Sequence, residues 1–259
     1  MNPSTRASDL RAVTRDETEL RFRVTAYDGV LMRAGTTCRS LTLAVVKKQL
    51  KALANRATLE GMSRYGIPSK GAFGVPIGKI RALAKQLGCQ HELAVALWKS
   101  KQYESRMLAC FLADPERMTP ALMDAWTKSF DSWAVCDTAC FHLFDRTPHA
   151  FAKVKQWSRS RDEFVKRAAF ALLASVALHD KAAPDRSFLS VLPLIERSAK
   201  DERNFVRKGM SWALRGIGKR RGGTLRTAAL QLASRLAASD DASARWVGRD
   251  VLRDLDRRA

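Results

Sequence analysis

The sequence predicts an all-α protein whose antiparallel helix pairs stack into an α-solenoid. Three observations carry that reading. Apolar residues recur at helical spacing from Leu41 almost to the C-terminus, and no alternating, strand-like pattern competes with them. The helical segments run to roughly ten to nineteen residues and are separated by tight turns. They also arrive in pairs, with a period of roughly 35–40 residues that lies near the HEAT class of repeats. Each pair leaves an apolar face that only a neighbouring pair covers, so stacking follows. The repeat is weak at the level of individual residues, and a globular helical bundle is the alternative arrangement of the same segments.

Taken in order, residues 1–40 stand apart from this pattern. Arg6, Arg11, Arg15, Arg21, Arg23, Arg33 and Arg39 are scattered among few apolar residues, so the stretch reads either as a flexible basic extension or as sequence upstream of the true start. Asp9, Asp16, Glu17, Glu19 and Asp28 argue against a transit peptide, and a continuous apolar signal region is missing. The helical-repeat domain is expected over 41–259. Its first helix carries the stripe Leu43, Val46, Leu50, Leu53 and Ala54, and the one long loop runs from Tyr65 to Pro76, where Gly71, Gly74 and the nearby Gly78 read as turn formers. Pro76 suits a helix start. Further helices are expected over about 77–87, 91–100, 103–113, 119–130, 133–144, 148–158, 161–179, 187–199, 203–217, 223–238 and 241–257. Thr119 before Pro120, Thr147 before Pro148, and Ser160 three residues ahead of Glu163 are the start signals.

The chain is long enough for a large core, with 259 residues of which 46% are hydrophobic. Its formal net charge of +20 points to a polyanionic partner. Nucleic acid is the first candidate; an anionic membrane surface and an acidic protein bound by a helical scaffold are the rivals. No apolar run approaches a membrane span. The cysteines are Cys38, Cys89, Cys110, Cys136 and Cys140, odd in number and scattered, which reads as a reduced, cytoplasmic setting. Cys136 and Cys140 share a helix face suited to a metal, but no CxxC or histidine cluster completes a set, and small core residues are the default reading. The sequence lacks G-x-S-x-G, HExxH and a glycine-rich phosphate loop, so triads, zinc hydrolysis and NTP binding have no support in it.

The chemistry concentrates in three stretches. In Ser132-Trp133-Ala134-Val135-Cys136-Asp137-Thr138-Ala139-Cys140-Phe141-His142-Leu143-Phe144, Asp137 is one carboxylate in an otherwise uncharged helical run, with Trp133 one turn before it on the same face. A buried, unpaired carboxylate costs several kcal/mol, roughly, so Asp137 needs either a fixed partner or a cleft that uses its charge. In the helix from Arg161, Arg167 opens an apolar run without further charge until Asp180. It can hold a phosphate with its fork or form an ion pair, with Asp137 or Glu163 as partner. From Asp201 to Lys219, Phe205, Val206, Gly209, Met210, Ala213, Leu214 and Ile217 form one stripe, and Lys208, Trp212, Arg215 and Lys219 share another face. An indole among cations suits a surface that grips phosphates and stacks on a nucleotide; the alternative is an indole at the edge of the seam among solvated lysines. Arg220, Arg221, Arg226, Arg245 and Arg249, the last two near Trp246, extend the positive charge.

These residues carry a resemblance. From about Leu41 to Leu255 the chain resembles the DNA alkylation repair family, the AlkD-like HEAT-repeat DNA glycosylases. The likeness rests on Phe73-Gly74-Val75-Pro76, Leu97-Trp98, Tyr103-Glu104-Ser105-Arg106, Asp131-Ser132-Trp133 with Asp137, and Phe164-Val165-Lys166-Arg167. It continues through Asp201-Glu202-Arg203-Asn204-Phe205-Val206-Arg207-Lys208 and Ser211-Trp212-Ala213-Leu214-Arg215. The resemblance implies an α-solenoid with a concave basic face that wraps double-stranded DNA, works as a monomer, and removes N3- or N7-alkylated purines without metal or cofactor. It implies no membrane or protein partner, and a cytoplasmic, nucleoid-associated place. It puts the catalytic carboxylate on Asp137, the cleft tryptophans on Trp133 and Trp212, and the cleft arginine on Arg167. Ala134 stands where catalytic members usually carry an acidic residue. The rival within the same fold is a non-catalytic protein that binds damaged, bent or branched DNA.

Overall fold

The computed structural model describes residues 42–256, and the expected extension of residues 1–40 lies outside them. The chain opens with α1 (Leu43–Ala52) and α2 (Arg56–Gly61), the latter running into a 3-10 turn over Met62–Tyr65. After the loop come α3 (Ile77–Leu87), α4 (His91–Lys99), α5 (Tyr103–Leu112), α6 (Pro120–Lys128), α7 (Trp133–His142) and α8 (Ala150–Trp157). Then follow α9 (Glu163–His179), α10 (Asp185–Leu189), α11 (Leu192–Ser198), α12 (Asn204–Gly218), α13 (Gly223–Ala237) and α14 (Ala242–Asp256). There is no strand among the described residues.

The helices form two rows. In one, α3, α5, α7, α9, α12 and α14 pack each against the next; in the other, α4 lies on α5, α8 on α9 and α13 on α14. This is the stacking of helix pairs that the periodicity predicts. At its centre, α9 is apolar all round, with every residue from Ala168 to Ala177 buried, as a helix clasped by neighbours on all sides must be. The core is dense in aromatic contact: Trp98 stacks on Trp126 at 4.0 Å, and both are buried.

The start signals hold in part. Thr119 caps α6, its hydroxyl accepting from Leu122 N at 3.2 Å; Ser132, outside the expected signals, caps α7 by accepting from Val135 N at 3.4 Å. Thr147 does not cap α8. Its hydroxyl donates to the Phe144 carbonyl at 2.8 Å, and the helix begins at Ala150. Nor does Ser160 make a capping box, because its oxygen accepts from Asp162 N, two residues on, and Glu163 is the first residue of α9. The helix expected over 187–199 is two: Pro193 lies in the first turn of α11, where its missing N–H goes unneeded, and α10 ends before it. α2 lies outside the expected segments, and Gly78 is not a turn former but sits in the first turn of α3.

The long loop is built around a buried charge. The backbone N–H groups of Phe73, Gly74 and Val75 all donate to Glu104 Oε1, at 3.0, 2.7 and 3.3 Å, while the Gln102 amide donates to Oε2. Convergence of successive N–H groups on one anion makes a nest. Gly74 permits it, with φ at +74° and a backbone so close to α2 that a Cβ would stand 2.5 Å from Asn55 O.

Candidate active site

Helix α7 presents Trp133, Asp137 and Phe141 at four-residue steps along one side. Cys136 and Cys140 face α9 instead, their thiols donating to Phe164 O and Ala168 O at 3.7 and 3.5 Å. Both are buried, which is the core reading. Among the described residues no three His, Cys, Asp or Glu side chains gather closely enough to hold a metal ion.

Asp137 has a fixed partner. Arg167 Nε donates to Asp137 Oδ1 at 2.9 Å and Nη2 to Oδ2 at 2.6 Å, a fork-to-fork contact between α9 and α7. The remaining arm, Nη1, donates to the Phe205 carbonyl of α12 at 2.6 Å, and the guanidinium lies 5.8 Å from the Phe205 ring. Of the roles the sequence left open for Arg167, the structure displays the ion pair with Asp137, and Glu163 is not its partner. The two ends differ in access: 7% of the Arg167 side chain is exposed against 19% of Asp137. Burial pushes the Asp137 carboxyl above its ordinary value and Arg167 pulls it back. A guanidinium that does not release its proton, in bidentate contact, keeps the pair ionised at neutral pH.

The tryptophans lie on two helices of the same row, Trp133 on α7 with Asp137 and Trp212 on α12. Trp133 is half-buried and donates its indole N–H to the carbonyl of Tyr65 at 2.6 Å, tying α7 to the turn after α2. Trp212, on α12, is half-buried and lies 6.4 Å from Phe141, the rings inclined by 21°. Phe141 thus links Trp212 to the helix that carries Asp137.

The cationic face expected beside Trp212 is partly spent. Arg215 reaches Asp250 and Asp254 of α14 at 3.9 and 3.8 Å, and Lys219 pairs with Asp254. Winding α12 alone reveals its faces without the carboxylates that another helix brings to one of them. Phe205, placed by the sequence in the core stripe, is half-buried and leans on Phe164 at 5.5 Å. The other stripe residues are buried as expected. The sequence gives Phe141 and Tyr65 no role at the site, and Phe205 only a place in the core stripe. Only Phe141 had a usable signal, its four-residue step beyond Asp137.

The sequence matches the family described as DNA alkylation repair enzyme over residues 46–253. Among solved structures, one is described as a new family of proteins related to the HEAT-like repeat DNA glycosylases, with affinity for branched DNA structures. It is similar with a TM-score of 0.71 at 19% identity, covering 84% of this chain and 95% of that one. That likeness shows the fold, a stack of HEAT-like repeats. An engineered protein matches at a TM-score of 0.41 and 17% identity, over 85% of this chain and 93% of its own. No curated protein matches the sequence.

Proposed function

The chain belongs to the DNA alkylation repair family, and from that membership we propose that it removes cationic purines, alkylated at N3 or N7, from duplex DNA by hydrolysing the N-glycosidic bond. The single observation that carries this reading is Asp137: a carboxylate partly open to solvent, held in one orientation by the Arg167 fork.

The chemistry asks for little more. A purine alkylated at N3 or N7 is already a cation and leaves without a strong general acid. What remains is an oxocarbenium-like sugar and the placing of a water, both within reach of one fixed carboxylate. Arg167 supplies the fixing, because a bidentate contact sets the orientation of the carboxylate before substrate arrives. Its cost is partial neutralisation of the charge that the sugar would feel. Trp133 and Trp212 favour a cationic base through their ring faces. This step calls for no metal or cofactor. The protein acts as a monomer on DNA in a nucleoid-bearing cytoplasm, and its net charge of +20 drives duplex binding through counterion release.

A duplex oligonucleotide carrying 7-methylguanine tests this, with abasic sites scored by alkaline cleavage. The wild type releases the base, and Asp137→Asn lowers the rate by about 10²–10³-fold while duplex affinity is kept. Excision that survives in the Asn variant overturns the mechanism.

One observation favours a second reading. Both Asp137 oxygens accept from Arg167, as they would in a purely structural pair, and the similar fold described above has affinity for branched DNA. On this reading the protein binds bent, branched or damaged DNA without catalysis, and neither wild type nor variant releases the base while both bind.

A further inference from the structure

A continuous line of rings crosses the row of helices that runs from α3 to α12. It begins on α3, where the Arg81 guanidinium lies 5.7 Å from the Phe111 ring of α5 and its Nη2 is 3.3 Å from His142 Nε2 on α7. Phe111 and His142 are 4.8 Å apart, and His142 and Phe141 5.0 Å. Phe141 then meets His179, at the end of α9, at 4.3 Å and Trp212 of α12 at 6.4 Å. Five successive helices of the row each contribute a member. None of these side chains is in the buried core, unlike the Trp98 and Trp126 stack; all are half-buried.

Two details mark the line as a surface held in place. His179 is anchored through Nδ1 by Asp145, whose side chain is wholly buried beneath it. His142 is kept neutral: burial, then the charges of Arg81, Arg146 and His179, lower its pKa from 6.5 to about 3. At physiological pH it offers a ring and not a charge. Arg146, by contrast, is exposed, outside every ion pair among the described residues, and near enough to act on His142.

We propose that this line, Arg81, Phe111, His142, Phe141, His179 and Trp212, is a stacking platform for the unpaired bases of single-stranded DNA, with Arg146 taking a phosphate of the same strand. In an intact duplex each base face is covered by its neighbours, and only edges and phosphates remain for a protein to touch. The rings here are inclined to one another, by 52° between Phe111 and His142, 71° between His142 and Phe141 and 72° between Phe141 and His179, so each can take a base singly and none follows the parallel stack of an intact duplex. They serve a strand whose bases are unstacked, because each base offers a π-face irrespective of its sequence. The platform includes Phe141, one turn beyond Asp137 on α7, and an unpaired strand at a gap or fork would lie along it. DNA is the partner that the family gives, and the platform stands whether or not Asp137 supports excision.

The test uses the full chain and fluorescence anisotropy with three labelled DNAs of equal length: intact duplex, duplex with a single-stranded gap, and single strand. The wild type is expected to prefer the gapped DNA to the intact duplex. Phe111→Leu, which keeps the apolar bulk but loses the ring face, lowers gapped and single-strand affinity on the order of tenfold and leaves intact-duplex affinity within twofold, roughly. Phe111→Tyr keeps the preference, and equal thermal melts of the variants show that folding is not the cause. Equal affinity of the wild type for gapped and intact duplex overturns the proposal, as does a Phe111→Leu defect of the same size on both. Excision of 7-methylguanine, followed in parallel, separates the two readings. Excision lost with preference kept sinks the enzyme alone, and preference lost with excision kept sinks the platform alone.

Discussion

Glu104 on α5 and Asp137 on α7 are carboxylates of adjoining helices, and they are held in opposite ways. Glu104 is fully buried, its oxygens taken by three backbone N–H groups of one loop and a neighbouring amide. Asp137 keeps 19% of its side chain open, and its oxygens are taken by one guanidinium from another helix. The first charge is satisfied by atoms that cannot move without unfolding the loop, so it serves as a keystone. The second is satisfied by a single side chain and is partly exposed, so it can be shared with something that binds there. Burial alone does not separate a structural carboxylate from a candidate catalytic one. The identity of the partners does.

Deleting the keystone should have the largest effect. Glu104→Ala leaves the N–H groups of Phe73, Gly74 and Val75 buried without an acceptor, and each orphaned donor costs about 1–3 kcal/mol. A loss of at least about 3 kcal/mol in urea unfolding is expected, with excision per folded molecule unchanged. That is the inverse of Asp137→Asn, which removes excision and keeps the fold. A loss under about 1 kcal/mol would show that water replaces the carboxylate and would erase the distinction between the two sites.

Gly74→Ala attacks the same keystone from the loop side. At φ +74° an alanine is strained, and its Cβ would stand 2.5 Å from Asn55 O and 2.6 Å from Leu59 Cβ. The expected cost is about 1–3 kcal/mol, read as a lower urea midpoint with an unchanged slope. Gly71→Ala, with a positive φ but nothing within 4 Å, is the control for backbone strain alone. If the two variants lose equally, close approach to α2 is not what holds the nest together.

These two sites also differ in how far they can be read from sequence. The helical period alone gives most of the elements, because each helix buries one stripe and the stripe is local. Asp137 is legible for the same reason: a lone charge in an apolar run demands an account. Its partner is thirty residues away, and from one helix Arg167 had two carboxylates within plausible reach. Glu104 enters the sequence reading only within a motif of the resemblance and without a role, since a glutamate at the start of a helix is ordinary and its donors are backbone groups that no side-chain pattern reveals. Arg215 and Lys219 mislead similarly. Their face on α12 is cationic in isolation, and Asp250 and Asp254 arrive only when α14 packs against it.

A further effect is one of pH, and it falls on the α7 side. His142, on the helix that carries Asp137, has its pKa lowered to about 3 by burial and by the charges of Arg81, Arg146 and His179. An unfolded chain takes up a proton there near 6.5 and the folded one does not, so this contribution to stability is complete above pH 6.5 and drains as pH falls toward about 3. Asp137 is shifted upward and does not add to that loss. Asp201, held below its ordinary value by hydrogen bonds from Arg203 and Lys166, does add to it, but only at lower pH. Between pH 6.5 and about 4.5 the window is therefore chiefly that of His142. Replacing it with phenylalanine keeps a ring against Phe111 and Phe141 and should flatten unfolding free energy against pH in that window, with little change at pH 7.5, roughly a pH unit above the transition. An unaltered slope would mean that the folded protein admits the proton after all, and that the helix bearing Asp137 is more open to water than the one bearing Glu104 by a wider margin than their exposures imply.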